Sequence, residues 1–506
     1  MLANDLTSPA RASALTKFVQ ILLIVVTLAV LARIAFVFTT DVYSNGDSDN
    51  YVTVAENIYR NFCVSHSDPT SGACTPYWGG NQPFPGYAAF ISLAWLIGGT
   101  SAVSVQLLQA LVAALAIARM AYAVLVFTRR RDMALAVGCV LAVSPLQVAF
   151  SRAILTETLA TATTVWVFAE LILSLAEKRL RLLSLGLALV AAIFIRTDAI
   201  VLIPVVAGVG FYLHPLPVVL KRGAILGLMV AVPLGAWVVR SVAVGLPPVP
   251  APASGLGWSL PPGMMSWAMT WTENEGDERS YIIPIFQAQY SKIEVPDSAY
   301  RSAAERQEVQ ANLAKLASYD GRPVPADIDH AFASLAAARR HAEPLQSYVV
   351  KPLKRCLYIW FSPSYAFDWP TRRIPNLEGA AMVHAAYSSL AGLLTIIKSY
   401  PVDVAQRALI NAYRLAVAIG FLVIAALSSA GPLRPLRPII AIAGAYTLIR
   451  TLFMGAFAPG VGTRYIVETL PAMEVVCTLA VICLWHARRQ AVSQHGVLSR
   501  APSGGG

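Results

Sequence analysis

The chain has 506 residues, of which 56% are hydrophobic and only 13% charged, with a formal net charge of +11. An average soluble domain carries roughly 25% charged residues, so a water-soluble globule of this length lacks the polar surface it needs and the apolar excess requires lipid. The basic residues fall in short clusters between hydrophobic runs, the pattern of membrane-orientation signals, which excludes nucleic acid as the expected partner.

Crossing a bilayer takes about 20 mostly apolar residues as a helix. Runs near that length predict ten spans, at 17–38, 101–127, 133–150, 155–176, 180–196, 198–214, 223–244, 405–429, 437–457 and 466–486. Lys/Arg bias in short loops orients them. The clusters Arg129, Arg130 and Arg131; Lys178, Arg179 and Arg181; Lys221 and Arg222; Arg434 and Arg437; and Arg488 and Arg489 all take the cytoplasmic side, with Arg11 and Lys17, if the spans alternate. This predicts an all-α, multi-pass cell-membrane protein of about 10–12 helices with both termini in the cytoplasm. The first segment reads as a retained span, because no small-residue cleavage site follows Phe38.

In chain order, residues 1–244 read as an N-terminal membrane module that includes a first outer loop, 39–82. Residues 83–98 are short for a span, and counting them would put Arg129–Arg131 outside. They are expected to form a re-entrant or membrane-edge helix on the outer side, the alternative being a short span that breaks the positive-inside pattern. Residues 245–401 read as a second outer region. It opens with the turn-rich PPVPAPASG, runs through the acidic ENEGDE at Glu273–Glu278 and a charged helical stretch near 300–345, and ends in an interfacial helix at 378–398. The two outer segments are expected to fold together as a small domain on the bundle. Residues 402–490 supply the C-terminal spans, and 491–506 a flexible cytoplasmic tail.

Cys63 and Cys74 lie eleven positions apart in the first outer loop, where an oxidising compartment permits a disulfide; the alternative is two unpaired thiols. Cys139, Cys477 and Cys483 lie in spans and read as small apolar fillers. No Cys-x-x-Cys pair or His cluster suggests a metal, and none is expected.

The segment GDSDNYVTVAENI, Gly46–Ile58, places Asp47, Asp49 and Glu56 just beyond the first span. Asp47 or Ser48 as the cap of a helix starting near Asn50 is one reading, and Thr53 with Glu56 has capping-box spacing. The other is functional, since ionisable groups at the hydrocarbon edge are expensive to keep there. Glu157 stands at the outer start of a span. Arg152, Arg196 and Arg464 stand at outer span ends, where the positive-inside rule disfavours them. Each alone is explained by snorkelling; three together suit an anionic ligand, because guanidinium forks match phosphate oxygens. A lipid-phosphate-linked sugar would present phosphate to the arginines and its anomeric carbon near an Asp. Phosphate is a good leaving group, so one carboxylate acting as base on an acceptor hydroxyl suffices, with inversion at the sugar.

These pieces resemble a known family. DSDNYVTVAENI after the first span, QPFPGYAAF before the next hydrophobic run, LTETL around Glu157, FIRTDAIVLIP and RYIVETLP follow one another over most of 17–486. The chain resembles the polytopic C-type (GT-C) glycosyltransferases, in the branch of the protein O-mannosyltransferases, aminoarabinose transferases and RgtA/B/C/D-like enzymes. The resemblance implies an inverting hexosyl or pentosyl transferase that uses a polyprenyl-phosphate sugar and no cofactor, with a glycan, lipid or protein acceptor on the outer face. It implies Asp47 as base with Asp49 as runner-up, and Glu157 as the second acidic residue. Arg464 and Tyr465 would meet the donor phosphate, with Arg152 and Arg196 beside them, and Tyr51, Pro85 and Tyr87 would line the substrate pocket. The chain departs from many relatives in having Pro83-Phe84-Pro85 where they carry paired prolines, and Glu157 where they carry Asp. Two other readings remain: a lipid-linked sugar flippase, and an O-antigen-ligase-like enzyme using His330, His341 or His384 as base.

Overall fold

The computed structural model describes residues 9–39, 46–76, 84–248, 259–361, 389–399, 401–429, 431–458 and 462–498. Pro83, His384 and most of the expected interfacial helix at 378–398 lie outside them. Among the described residues there are helices and their connections but no strand.

The N-terminal part comprises α1 (Pro9–Thr39), α2 (Gly46–Asn61), α3 (Gly86–Gly98), α4 (Ala102–Thr128), α5 (Arg131–Val143), α6 (Pro145–Phe150), α7 (Glu157–Glu177), α8 (Leu182–Ile195), α9 (Leu202–Leu213) and α10 (Leu216–Ala243). The helices Pro401–Ala426, Arg437–Phe457 and Leu470–Leu498 close the bundle. Every predicted span falls on a helix. Seven stretches are long and apolar enough to cross a membrane: Val19–Thr39, Ala102–Thr128, Glu157–Glu177, Leu216–Ala243, Val404–Ser429, Gly431–Phe457 and Arg464–Val492.

The other three predicted spans are shorter, for local reasons. Residues 133–150 break between α5 and α6 at Pro145, which has no N–H to continue the ladder. α8 has 14 residues and reaches only about 21 Å at 1.5 Å per residue. The stretch that follows it, Thr197–Leu213, begins as a 3₁₀ turn. α3, with 13 residues, is likewise below spanning length.

α7 is the centre of the bundle: 83% of its apolar window is buried, against 17% for α10 at the periphery. α7 packs on α4, and both present alanines, including Ala113, Ala116, Ala162 and Ala169. Side chains this small let two helices approach closely where lipid gives no hydrophobic drive to associate. α7 starts at Glu157 and runs to Glu177; α8 returns antiparallel and ends at Arg196. α1 leads to Asp47 and the turn Thr463–Thr469 carries Arg464 into the last helix, so all four side chains arrive at one end of the bundle. At the other end Glu170 holds Arg119 at 2.6 Å and Arg181 at 2.9 Å, and Arg130 contacts Asp132 and His486.

The two segments expected to lie outside do not share a core. α2 and α3 pack with α4 through Tyr51, Val54, Tyr87, Ile91 and Trp95. Residues 260–336 build a separate core around Trp267, Trp271, Tyr281 and Phe332. α2 packs on α3, the next helix in the chain, and α3 on α4. The second core reaches the bundle through the helix Lys351–Phe361, where Arg355 donates to the carbonyls of Met269, Thr272 and Gly455 at 3.0, 3.1 and 2.6 Å.

Candidate active site

Asp47 lies in the first turn of α2, where the helix dipole favours an acid. The helix begins at Gly46, so Asp47 and Ser48 are inside it rather than capping a helix from Asn50. Glu56 pairs with Arg60 at 2.7 Å rather than completing a box with Thr53. α2 is fastened to the loop behind it. Asn57 donates to the carbonyls of Ser65 and Ser67 at 3.1 and 2.8 Å, and the His66 ring lies 2.7 Å from the Asn50 side-chain oxygen. Cys63 and Cys74 are bonded, with their Cα atoms 6.3 Å apart.

Arg464 Nη2 stands 2.9 Å from Asp47 Oδ2, and its Nε lies 3.9 Å from Glu157 Oε1. Thus a residue after the first span, one at the start of α7 and one before the last helix meet at a single guanidinium. Behind it the charge continues inward. Arg196 Nη1 reaches Glu157 Oε1 at 3.3 Å and Thr156 Oγ1 at 3.1 Å; its other nitrogens reach Asp198 at 2.9 Å and Glu468 at 3.2 Å. Arg450 binds Asp198 at 3.1 Å, Glu468 at 2.7 Å and the Tyr465 carbonyl at 2.8 Å. Among the described residues four carboxylates (Asp47, Glu157, Asp198 and Glu468) therefore face three guanidiniums. Among the described residues no group of three or more His, Cys, Asp or Glu side chains is placed to hold a metal ion.

Aromatic rings frame the charges. Tyr465 lies under both Arg464 and Arg196, at 5.5 and 5.9 Å from ring centre to guanidinium carbon. Tyr51 is buried edge-on against Tyr87, 5.0 Å between ring centres. Burial, and then the neighbouring Asp47 charge, hold the Tyr51 phenol far above its ordinary pKa, so it stays a neutral donor. Tyr87 donates to Gln109 Oε1 at 2.8 Å, and Gln109 donates to the Ala153 carbonyl at 3.1 Å. Phe84 and Pro85 are buried at the entry to α3, and Gly86 sits directly on the backbone of Phe194 and Ile195.

The structure thus brings together Asp47, Tyr51, Glu157, Arg196, Arg464 and Tyr465. Asp49 is exposed on α2. Arg152 is buried beside α1, its guanidinium 5.8 Å from the centre of the Phe36 ring. His330 and His341 are exposed on the helix Ala326–Ala342 of the second core, outside the cluster. Sequence reasoning missed Asp198, Arg450 and Glu468. Arg450 carried a legible signal, as an arginine in the middle of a predicted span; Asp198 and Glu468 stood unweighed inside the quoted motifs.

Below Glu157 the polar interior continues. Glu474 accepts from Ser144 at 2.7 Å, Tyr413 at 2.8 Å and Gln147 at 3.1 Å, and Arg33 donates to the carbonyls of Ala29 and Ala142. A cavity of about 10 Å³ lies among Arg33, Gln147, Glu157 and Thr161, room for about one water. Glu157 Oε2 and Thr161 Oγ1 have no hydrogen-bond partner among the described residues.

No family model matches the chain, and no curated protein matches it. Among solved structures it is similar to the oligosaccharyltransferase of Archaeoglobus fulgidus in its apo form, at 14% identity and a TM-score of 0.44 over 94% of this chain and 52% of that one. It is also similar to ArnT from Cupriavidus metallidurans in the apo state, at 14% identity and a TM-score of 0.32 over 93% of this chain and 78% of that one. The chain spans about half the length of the oligosaccharyltransferase.

Proposed function

We propose that the protein is a C-type glycosyltransferase that moves a sugar from a polyprenyl-phosphate donor to an acceptor hydroxyl on the outer face of the cell membrane. The observation that carries this reading is the meeting of Asp47, Arg464 and Glu157 at one end of a membrane bundle. A carboxylate able to accept a proton and a guanidinium able to hold a phosphate stand within one sugar-phosphate's reach.

In the reaction, Arg464 holds the donor phosphate and Tyr465 packs beneath it. Asp47 takes the proton of the acceptor hydroxyl as its oxygen bonds to the anomeric carbon. The bond from that carbon to the phosphate oxygen breaks opposite the attack, and polyprenyl phosphate leaves with the electron pair, inverting the sugar. Arg196 is enclosed by Glu157, Asp198 and Glu468, so its role is to orient Glu157 and the cluster rather than to bind phosphate itself.

Transfer from a radiolabelled polyprenyl-phosphate sugar in detergent tests the reading. Asp47→Asn is expected to lower turnover by about 10²–10⁴, the usual worth of a positioned general base, with the protein still monodisperse. Unchanged turnover in that variant, or an Arg464→Ala variant with an unaltered donor KM, overturns it.

A further inference from the structure

Resting on that reading, we propose that the Asp47–Arg464 ion pair is a latch which the donor phosphate itself opens, so that the base is released only when donor is bound. The charge count favours the exchange. Arg196 and Arg450 are already shared among Glu157, Asp198 and Glu468, three acids for two cations, all of them buried or nearly so. Arg464 is the third cation and the one at the surface, 18% exposed, with Asp47 on it at 28% exposed. Among the described residues each of the three guanidiniums of this cluster carries a carboxylate, so a phosphodiester arriving from the rim meets one already paired. It gains Arg464 by displacing the more exposed of its two acids, Asp47; Glu157, 2% exposed, is fixed from behind by Arg196.

The displacement has a chemical consequence. A carboxylate oxygen held by a guanidinium is not free to accept a proton from a hydroxyl. Transfer of Arg464 to phosphate takes its Nη2 off Asp47 Oδ2, now 2.9 Å away, and clears that oxygen for the acceptor hydroxyl. Donor binding and base activation are then one event, and by linkage each opposes the ion pair that the empty site holds.

The latch predicts the opposite of what a donor contact would. If Asp47 competes for Arg464, removing its charge tightens donor binding while abolishing turnover. Polyprenyl phosphate without sugar is the probe, titrated into full-length protein in nanodiscs and read by native mass spectrometry. Asp47→Asn should bind it about two- to five-fold more tightly than wild type, the range set by breaking one part-exposed ion pair. Asp49→Asn, which removes the same charge from the same helical turn, measures the general electrostatic effect. Equal tightening in the two variants, or weaker binding in Asp47→Asn, overturns the latch and leaves the functional reading in place. Failure of wild type to bind polyprenyl phosphate overturns both. A structure of the wild-type protein with the lipid gives a check that needs no variant. Arg464 should be on phosphate and beyond ion-pair distance of Asp47; phosphate bound with the pair intact overturns the proposal.

Discussion

At the scale of single residues the cluster is asymmetric, and the asymmetry is testable. Four carboxylates share three guanidiniums among the described residues, so losing an acid moves the group toward balance and losing an arginine moves it away. Arg450→Met leaves Asp198 and Glu468 buried with one guanidinium between them, and should destabilise by about 3–5 kcal/mol, the cost of orphaning a buried charge. Glu468→Gln removes a charge but keeps an acceptor, and should cost markedly less. Thermal unfolding in detergent, read side by side, checks the order; an equal loss in both would show that charge balance is not what holds the cluster. The sequence showed these residues unevenly. Arg464 stood out because it broke the positive-inside pattern, whereas Asp198 and Glu468 sit near span ends where acids are unremarkable. Each also has a partner more than 200 positions away, Arg450 for Asp198 and Arg196 for Glu468, and no local pattern encodes that.

At the scale of elements, the site depends on a close crossing. A Cβ on Gly86 would stand 2.3 Å from the Phe194 carbonyl oxygen, and the backbone there leads directly into Arg196. The first turn of α3 can therefore lie on the last turn of α8 only if residue 86 has no side chain. Gly86→Val should shift Arg196 away from Glu157, remove most transfer activity and destabilise by about 1–3 kcal/mol, the usual cost of overpacking. Gly208→Ala, on α9 with open space around it, should leave both activity and melting temperature near wild type. Parallel transfer assays and melting curves decide it, and a wild-type-like Gly86→Val would remove the crossing from the account. The helices themselves were legible because lipid demands long apolar runs. The shortness of α8 was not, since its hydrophobicity continues past the point where Arg196 turns the chain.

For the molecule as a whole, the joint between the second core and the bundle is a buried guanidinium satisfied by three carbonyls. Gly455 permits it, since a Cβ there would stand 2.3 Å from the Cys356 sulfur. Arg355→Leu leaves those carbonyls without their donor. Hydrogen exchange should rise across residues 259–343, while α4 and α7 keep wild-type protection. Unchanged exchange in the second core would show that its seat does not depend on Arg355. The helix that carries Arg355 also packs on the turn that bears Arg464, through Ile359, Tyr465 and Ile466, so the second core and the site share one contact helix.

The sequence by itself determined that this chain lives in lipid, which segments are helical and which charges are out of place, because hydrocarbon thickness and the cost of a charge in it act on each segment alone. Tertiary structure decided which misplaced charges meet. It set Arg152 against a phenylalanine ring, made Arg196 an interior clamp and left Arg464 on the rim with Asp47. The reason is that ion pairing depends on distance and burial, and those are fixed only when helices far apart in the chain close around α7.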